Sequence, residues 1–136
     1  MSVEMECPAR FRNDIEERTF QFALRILKLV KALPKDAAAQ AIARQIIRSG
    51  TGIGGNVEEA QGSQTRKAFA RKMNIARGES LETRYWLRLI AESKMFPRER
   101  IALLVQEADE LVRIITTIVK NTRSNTSKNE KRRKSD

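Results

Sequence analysis

Three groups of residues have types and spacings that could do chemistry. Gly50-Thr51-Gly52-Ile53-Gly54-Gly55 reads G-x-G-x-x-G, the spacing that lets a dinucleotide-binding turn approach a pyrophosphate. Glu58, Glu59, Glu79 and Glu82 are carboxylates of the kind a di-iron helical bundle gathers at its centre. Arg66, Arg77, Arg84 and Arg88 return to one side of a helix at about 100° per residue, as a row of phosphate ligands would.

The first two readings fail on context. A dinucleotide turn follows a strand and opens a helix, whereas Gly50 sits inside a helical pattern and no strand is visible in the chain. A P-loop is excluded because no Gly-Lys-Ser/Thr follows. Each glycine inside a helix costs about 1 kcal/mol relative to alanine, so close packing against a neighbouring helix is the expected compensation, with a local kink as the alternative. The di-iron site uses Glu-x-x-His pairs, and the chain contains no histidine. That absence also removes Ser-His and Cys-His nucleophiles, His-ligated zinc and a neutral-pH proton shuttle. Nothing indicates a cleft for paired carboxylates, so the glutamates are expected to pair with arginines. No catalysis, cofactor or metal is expected.

The arginine row has the composition behind it. Lys and Arg number 27 against 17 Asp and Glu, a formal charge of +10 on 136 residues, which points to polyanionic partners. Lys67 and Lys72 reinforce the row at the helix start, and Lys131-Arg132-Arg133-Lys134 adds a basic run near the C-terminus. The plain alternative is a solvated flank whose long side chains snorkel along a buried stripe. On another side of the same helix lie Ile75, Glu79, Glu82, Trp86 and Leu89. One helix of a monomeric bundle needs a single apolar stripe, so this flank is expected to be an oligomer interface. A wide core with a partly covered Trp86 is the alternative.

Four amphipathic segments must position these groups. The first runs from Ile15 to Leu33 behind a capping box of Asp14 and Glu17, and Pro34 stops it. Its stripe is Phe20, Ala23, Leu24, Leu27 and Val30, widened by Phe22, Ile26 and Leu29. Asp36 caps the second, which carries Ile42, Ile46, Ser49, Ile53, Asn56, Val57 and Ala60 on one face and ends near Gly62. The third follows Gly62-Ser63-Gln64-Thr65 and reaches Ser93, with Phe69, Met73, Ala76, Ser80, Leu87 and Ile90 inward. The fourth starts at Pro97 and holds the cleanest period, from Ile101 to Val119. Short connections make sequential helices antiparallel neighbours, giving an all-α, up-down-up-down four-helix bundle.

The expected organisation is an N-terminal extension over 1–14, a bundle over 15–122 and a disordered basic tail over 123–136. The tail holds four of the ten net positive charges. The lone Cys7 fits a reducing cytoplasm. Met1 to Glu6 lacks the features of a signal peptide, and no apolar run approaches the roughly 20 residues of a membrane span.

Several blocks together resemble a known family: Asn56-Val57-Glu58-Glu59-Ala60, Arg66 through Phe69, Lys72-Met73, Glu79, Glu82-Thr83 and Tyr85-Trp86-Leu87-Arg88-Leu89. They are similar to the bacterial four-helix-bundle proteins of the 23S rRNA-intervening-sequence group, and Gln45, Arg48 and Ile53 match its second helix. The resemblance covers about residues 15–120. It implies a ring-like homopentamer and, through a related branch, a basic nucleic-acid-binding accessory of diversity-generating retroelements that partners a reverse transcriptase. Ala68 stands where relatives often have Asp, and Gly78 where they often have Lys. The group brings no catalytic residues. The expected function is a homo-oligomeric bundle that binds RNA or DNA through phosphates, with a protein-interaction scaffold as the alternative.

Overall fold

The computed structural model describes residues 14–135; all but the last residue of the expected N-terminal extension, Asp14, lies outside them. Four helices form: α1 (Ile15–Ala32), α2 (Ala37–Gln61), α3 (Arg66–Ser93) and α4 (Arg98–Ser135). Their ends are set by local chemistry. Asp14 Oδ1 accepts from the N–H groups of Glu16 and Glu17 at 3.1 and 3.3 Å, and Asp36 Oδ1 accepts from Ala39 at 2.9 Å. These bonds satisfy first-turn donors that no intrahelical carbonyl reaches. The reciprocal half of the capping box is replaced, because Glu17 accepts from the Gln21 amide at 2.9 Å. Thr65 caps α3 through Ala68 N at 3.0 Å. Lys94 ends α3 in the left-handed conformation, φ 64°, a position where glycine is the usual occupant.

The helices pack in sequence order as an antiparallel four-helix bundle: α1 on α2, α2 on α3, α3 on α4. The expected inward faces of α2, α3 and α4 are the observed ones. Ile46, Ile53 and Val57 of α2, Met73, Leu87 and Ile90 of α3, and Ile101, Leu111 and Ile115 of α4 are essentially fully buried. Two hydroxyls among them have hydrogen-bond partners, since Thr83 Oγ1 lies 2.9 Å from Ser49 Oγ and 2.8 Å from the Glu79 carbonyl. Among the described residues no helix is long and apolar enough to cross a membrane.

The expected face of α1 needs correction. Thr19, Phe22, Ile26, Leu29 and Leu33 are the buried residues, while Phe20, Leu24 and Leu27 point outward, 40–57% exposed. The reason lies on α2. A Cβ on Gly50 would stand 2.9 Å from Ile26 Cγ1, and one on Gly54 would stand 3.4 Å from the Thr19 backbone. Those two glycines open a groove that receives the Thr19–Ile26 side of α1. The close-packing account therefore holds at Gly50 and Gly54, and not at Gly55, where an added Cβ would meet nothing within 4 Å.

The basic tail expected over 123–136 lies beyond the packed part of α4, whose helical backbone runs to Ser135. No proline or glycine follows Pro97, and a basic run at a helix C-terminus complements the macrodipole. Past Val119, however, no described side chain is fully buried and only Thr122 is half-buried, so packing contributes little to these turns.

Candidate nucleic-acid interface

The arginine row of α3 faces the groove toward α4, because the buried stripe of α3 turns its neighbouring flank that way. Arg77 Nε donates to Thr116 Oγ1 at 3.1 Å, and Arg84 Nη1 lies 3.5 Å from Asp109 Oδ1. Arg77 thus meets a neutral hydroxyl and keeps its charge uncompensated. Arg66 and Arg88 are exposed and form no ion pair among the described residues, and the same holds for Lys67. The fourth helix enlarges the row. Since Asp109 and Thr116 face α3, Arg113, Lys120 and Arg123 share their side at helical spacing, and all three are exposed. Sequence reasoning passed over Arg113 and Lys120; the flank of α4 that adjoins α3 becomes known only once its contacts are.

Lys72 is not brought to this face. Its Nζ lies 2.9 Å from Glu59 Oε2, across the groove toward α2. Lys131, Arg132, Arg133 and Lys134 are exposed on the last turns of α4. There α4 runs beside the start of α3, and Arg66 joins Asn125, Lys128, Asn129, Lys131 and Arg132 in lining a polar cleft. The row and the basic run thus meet at Arg66.

The second flank of α3 turns toward α2 and divides into two environments. Ile75 and Leu89 of this flank are exposed, as is Tyr85, which stands between the flank and the arginine row. Trp86 is half-buried against the core, with its indole N–H donating to Glu82 Oε1 at 3.2 Å and its ring edge-to-face with Tyr85, centroids 5.2 Å apart. Arg48 of α2 ties the acids together, pairing with Glu82 and standing 3.6 Å from Glu79 Oε2. Burial pushes the Glu79 carboxyl above its ordinary range, opposed by Arg48 and reinforced by the Glu82 charge. Glu79 Oε2 is buried without a hydrogen-bond donor, pressed toward the space that Gly52 leaves open. Of the glutamates expected to pair with arginine, Glu79 and Glu82 do so, and Glu59 pairs with Lys72. Among the described residues no three His, Cys, Asp or Glu side chains converge as a metal site requires.

A further ion-pair cluster joins α1 to α4. Arg18 pairs with Glu107 and, at 2.6 Å, with Glu110, while Arg25 lies 4.0 Å from Glu107. The Arg18 hydrogen bond holds the Glu110 carboxyl below its ordinary range. Glu107 is thereby engaged on the α1 side of α4, while Glu110 also feels the charge of Arg113 at the edge of the cationic face.

A family model described as 23S rRNA-intervening sequence protein matches residues 12–117. A crystal structure of a protein with unknown function from the S23 ribosomal protein family, from Bacteroides thetaiotaomicron, is 35% identical to the chain. The two superpose with a TM-score of 0.73, covering 78% of this chain and 98% of that one. No curated protein matches the chain.

Proposed function

The chain belongs to the 23S rRNA-intervening sequence protein family, and on that premise we propose that it is a non-catalytic, self-associating bundle that binds RNA or DNA through phosphates. One observation carries the reading. Along the α3–α4 face Arg66, Arg77, Arg88, Lys120 and Arg123 have no carboxylate partner among the described residues, Arg113 feels the charge of Glu110 without an ion pair, and Arg84 has a carboxylate at 3.5 Å. Cations left uncompensated on one face of a +10 molecule attract a polyanion and release its counterions. The face has no aromatic stacking platform and is a ridge of point and fork charges, so it fits backbone contacts with little sequence preference.

A separate observation supports self-association. Large apolar side chains lie exposed on all four helices, with Phe20, Leu24 and Leu27 on α1, Ile47 on α2, Ile75, Tyr85 and Leu89 on α3 and Leu103 on α4. The α1 and α3 groups are unlike, and contact between unlike patches is heterologous and closes into a ring when the rotation allows. The ring-like homopentamer of the resemblance is such a closure, and the cytoplasm is its expected compartment. Filter binding to a duplex between low and physiological salt tests the nucleic-acid reading. Affinity should fall steeply with salt, and absent or salt-insensitive binding overturns the proposal.

The same exposed apolar residues favour a second reading, a scaffold whose partner is a protein. The reverse transcriptase of a diversity-generating retroelement is the partner the resemblance implies. Capture of such a protein by a chain that binds neither RNA nor DNA would establish that reading over the first.

A further inference from the structure

Resting on the nucleic-acid reading and deepening it, we propose that the cleft between the start of α3 and the last turns of α4 clamps consecutive phosphates of a nucleic-acid backbone, and that those phosphates stabilise residues 123–135 as helix. The lining is Arg66, Asn125, Lys128, Asn129, Lys131 and Arg132. Every one of these side chains offers N–H donors, four are cationic, and no carboxylate lines the cleft. Such a set suits anionic oxygens spaced along a chain. A concave wall of one sign also concentrates potential more than the open arginine row does.

The site exists only while α4 is helical here. Asn125, Lys128, Asn129 and Arg132 stand at i, i+3, i+4 and i+7, a spacing that gathers side chains on one side of a helix and scatters them in an extended chain. Yet burial does not stabilise this helix. No described side chain in the stretch is buried. Lys128 with Lys131, Lys128 with Arg132, and Lys131 with Lys134 place like charges at i+3 and i+4, where they repel. Glu130 with Arg133 and with Lys134 are opposing favourable pairs, which offset part of that repulsion. A helix end without packing is marginal in water. Phosphates in the cleft would screen the repulsion that weakens the helix, so occupancy and helicity reinforce each other.

Hydrogen exchange over residues 123–135 of the full chain tests this, with and without a 20-base-pair RNA duplex and a DNA duplex of the same sequence. Binding should slow exchange there by about tenfold or more. Arg66→Ser, a change at an exposed position outside the stretch, should weaken binding several-fold and abolish the slowing; Arg88→Glu should weaken binding but leave the slowing at saturation. Binding with unchanged exchange in 123–135, or an Arg66→Ser protein that binds and orders like the parent, overturns the clamp and leaves the arginine row as the interface. If neither duplex binds, the nucleic-acid reading falls and takes the clamp with it.

Discussion

Arg84 Nη1 stands 3.5 Å from Asp109 Oδ1 across the α3–α4 groove, the one point among the described residues where the arginine row of α3 meets a carboxylate. Both side chains are about a third or more exposed, 35% and 46%, so solvent screens the pair and it contributes little to stability. It tunes the face without neutralising it. Asp109→Asn should therefore strengthen duplex binding a few-fold at low salt. Arg84→Glu combined with Arg88→Glu should abolish most binding while the assembly keeps its mass. Each phosphate that is no longer neutralised lowers the slope of log affinity against log salt by about 0.7–0.9. Filter binding and light scattering on the same samples check both; unchanged affinity in the double variant would remove α3 from the interface.

Assembly is tested on the two exposed apolar faces. Leu24→Glu on α1 and Leu89→Glu on α3 should each lower the mass measured by light scattering. Trp86→Ala should lower mass and stability together, because the ring packs partly against the core as well as flanking the expected contact. Full mass in both leucine variants would return these faces to solvent.

The glycines of α2 give a paired stability test. Gly50→Ala forces a methyl toward Ile26, a fully buried side chain with little room to yield. Overpacking of this kind costs about 1–3 kcal/mol, against about 1 kcal/mol regained in helix propensity. Gly55→Ala meets nothing within 4 Å and should stabilise by up to about 1 kcal/mol. Urea unfolding followed by circular dichroism reads both. Equal effects at the two positions would refute the groove that docks α1.

Two glutamates predict opposite pH dependences. Burial raises the Glu79 pKa in the folded chain, so its ionised form is a penalty that is fully present above the raised value. Glu79→Gln should stabilise the protein at neutral pH, and the gain should vanish as pH falls through the raised value to that of an unfolded glutamate. Glu110 is shifted down by its hydrogen bond to Arg18. Its contribution is present above the unfolded glutamate value and is lost as pH falls through the lowered one. Glu110→Gln should thus destabilise slightly at neutral pH, with the effect small because the side chain is 45% exposed. Urea midpoints across the acid range separate the two; parallel profiles would contradict this account.

The fold was legible in the chain to within a few residues over α1, α2, α3 and the packed part of α4. Asp14, Pro34, Asp36 and Pro97 mark helix ends through bonds and clashes made within one turn, and their effects need no partner. The inward stripes of α2, α3 and α4 were legible for a similar reason, since each helix carries one dominant apolar line. On α1 two apolar lines lie side by side, Phe20-Leu24-Leu27 and Phe22-Ile26-Leu29. Periodicity cannot rank them. Gly50 and Gly54, on another helix, do.

The candidate site divides in the same way. Charge excess and the return of Arg66, Arg77, Arg84 and Arg88 to one flank follow from composition and a 3.6-residue period. Which cations face acids does not. Lys72 is drawn to Glu59 and away from the row, Arg18 takes up Glu107 and Glu110, and Arg113 and Lys120 join the row because α4 lies beside α3.

By itself the sequence determined the helices, most of their ends and the sign of the molecule, because caps, breakers, period and ionisable groups are properties of neighbours along one chain. The tertiary structure alone decided which side of α1 is buried and which cations remain uncompensated. Both depend on what arrives from a different helix: a missing Cβ in one case, a carboxylate in the other.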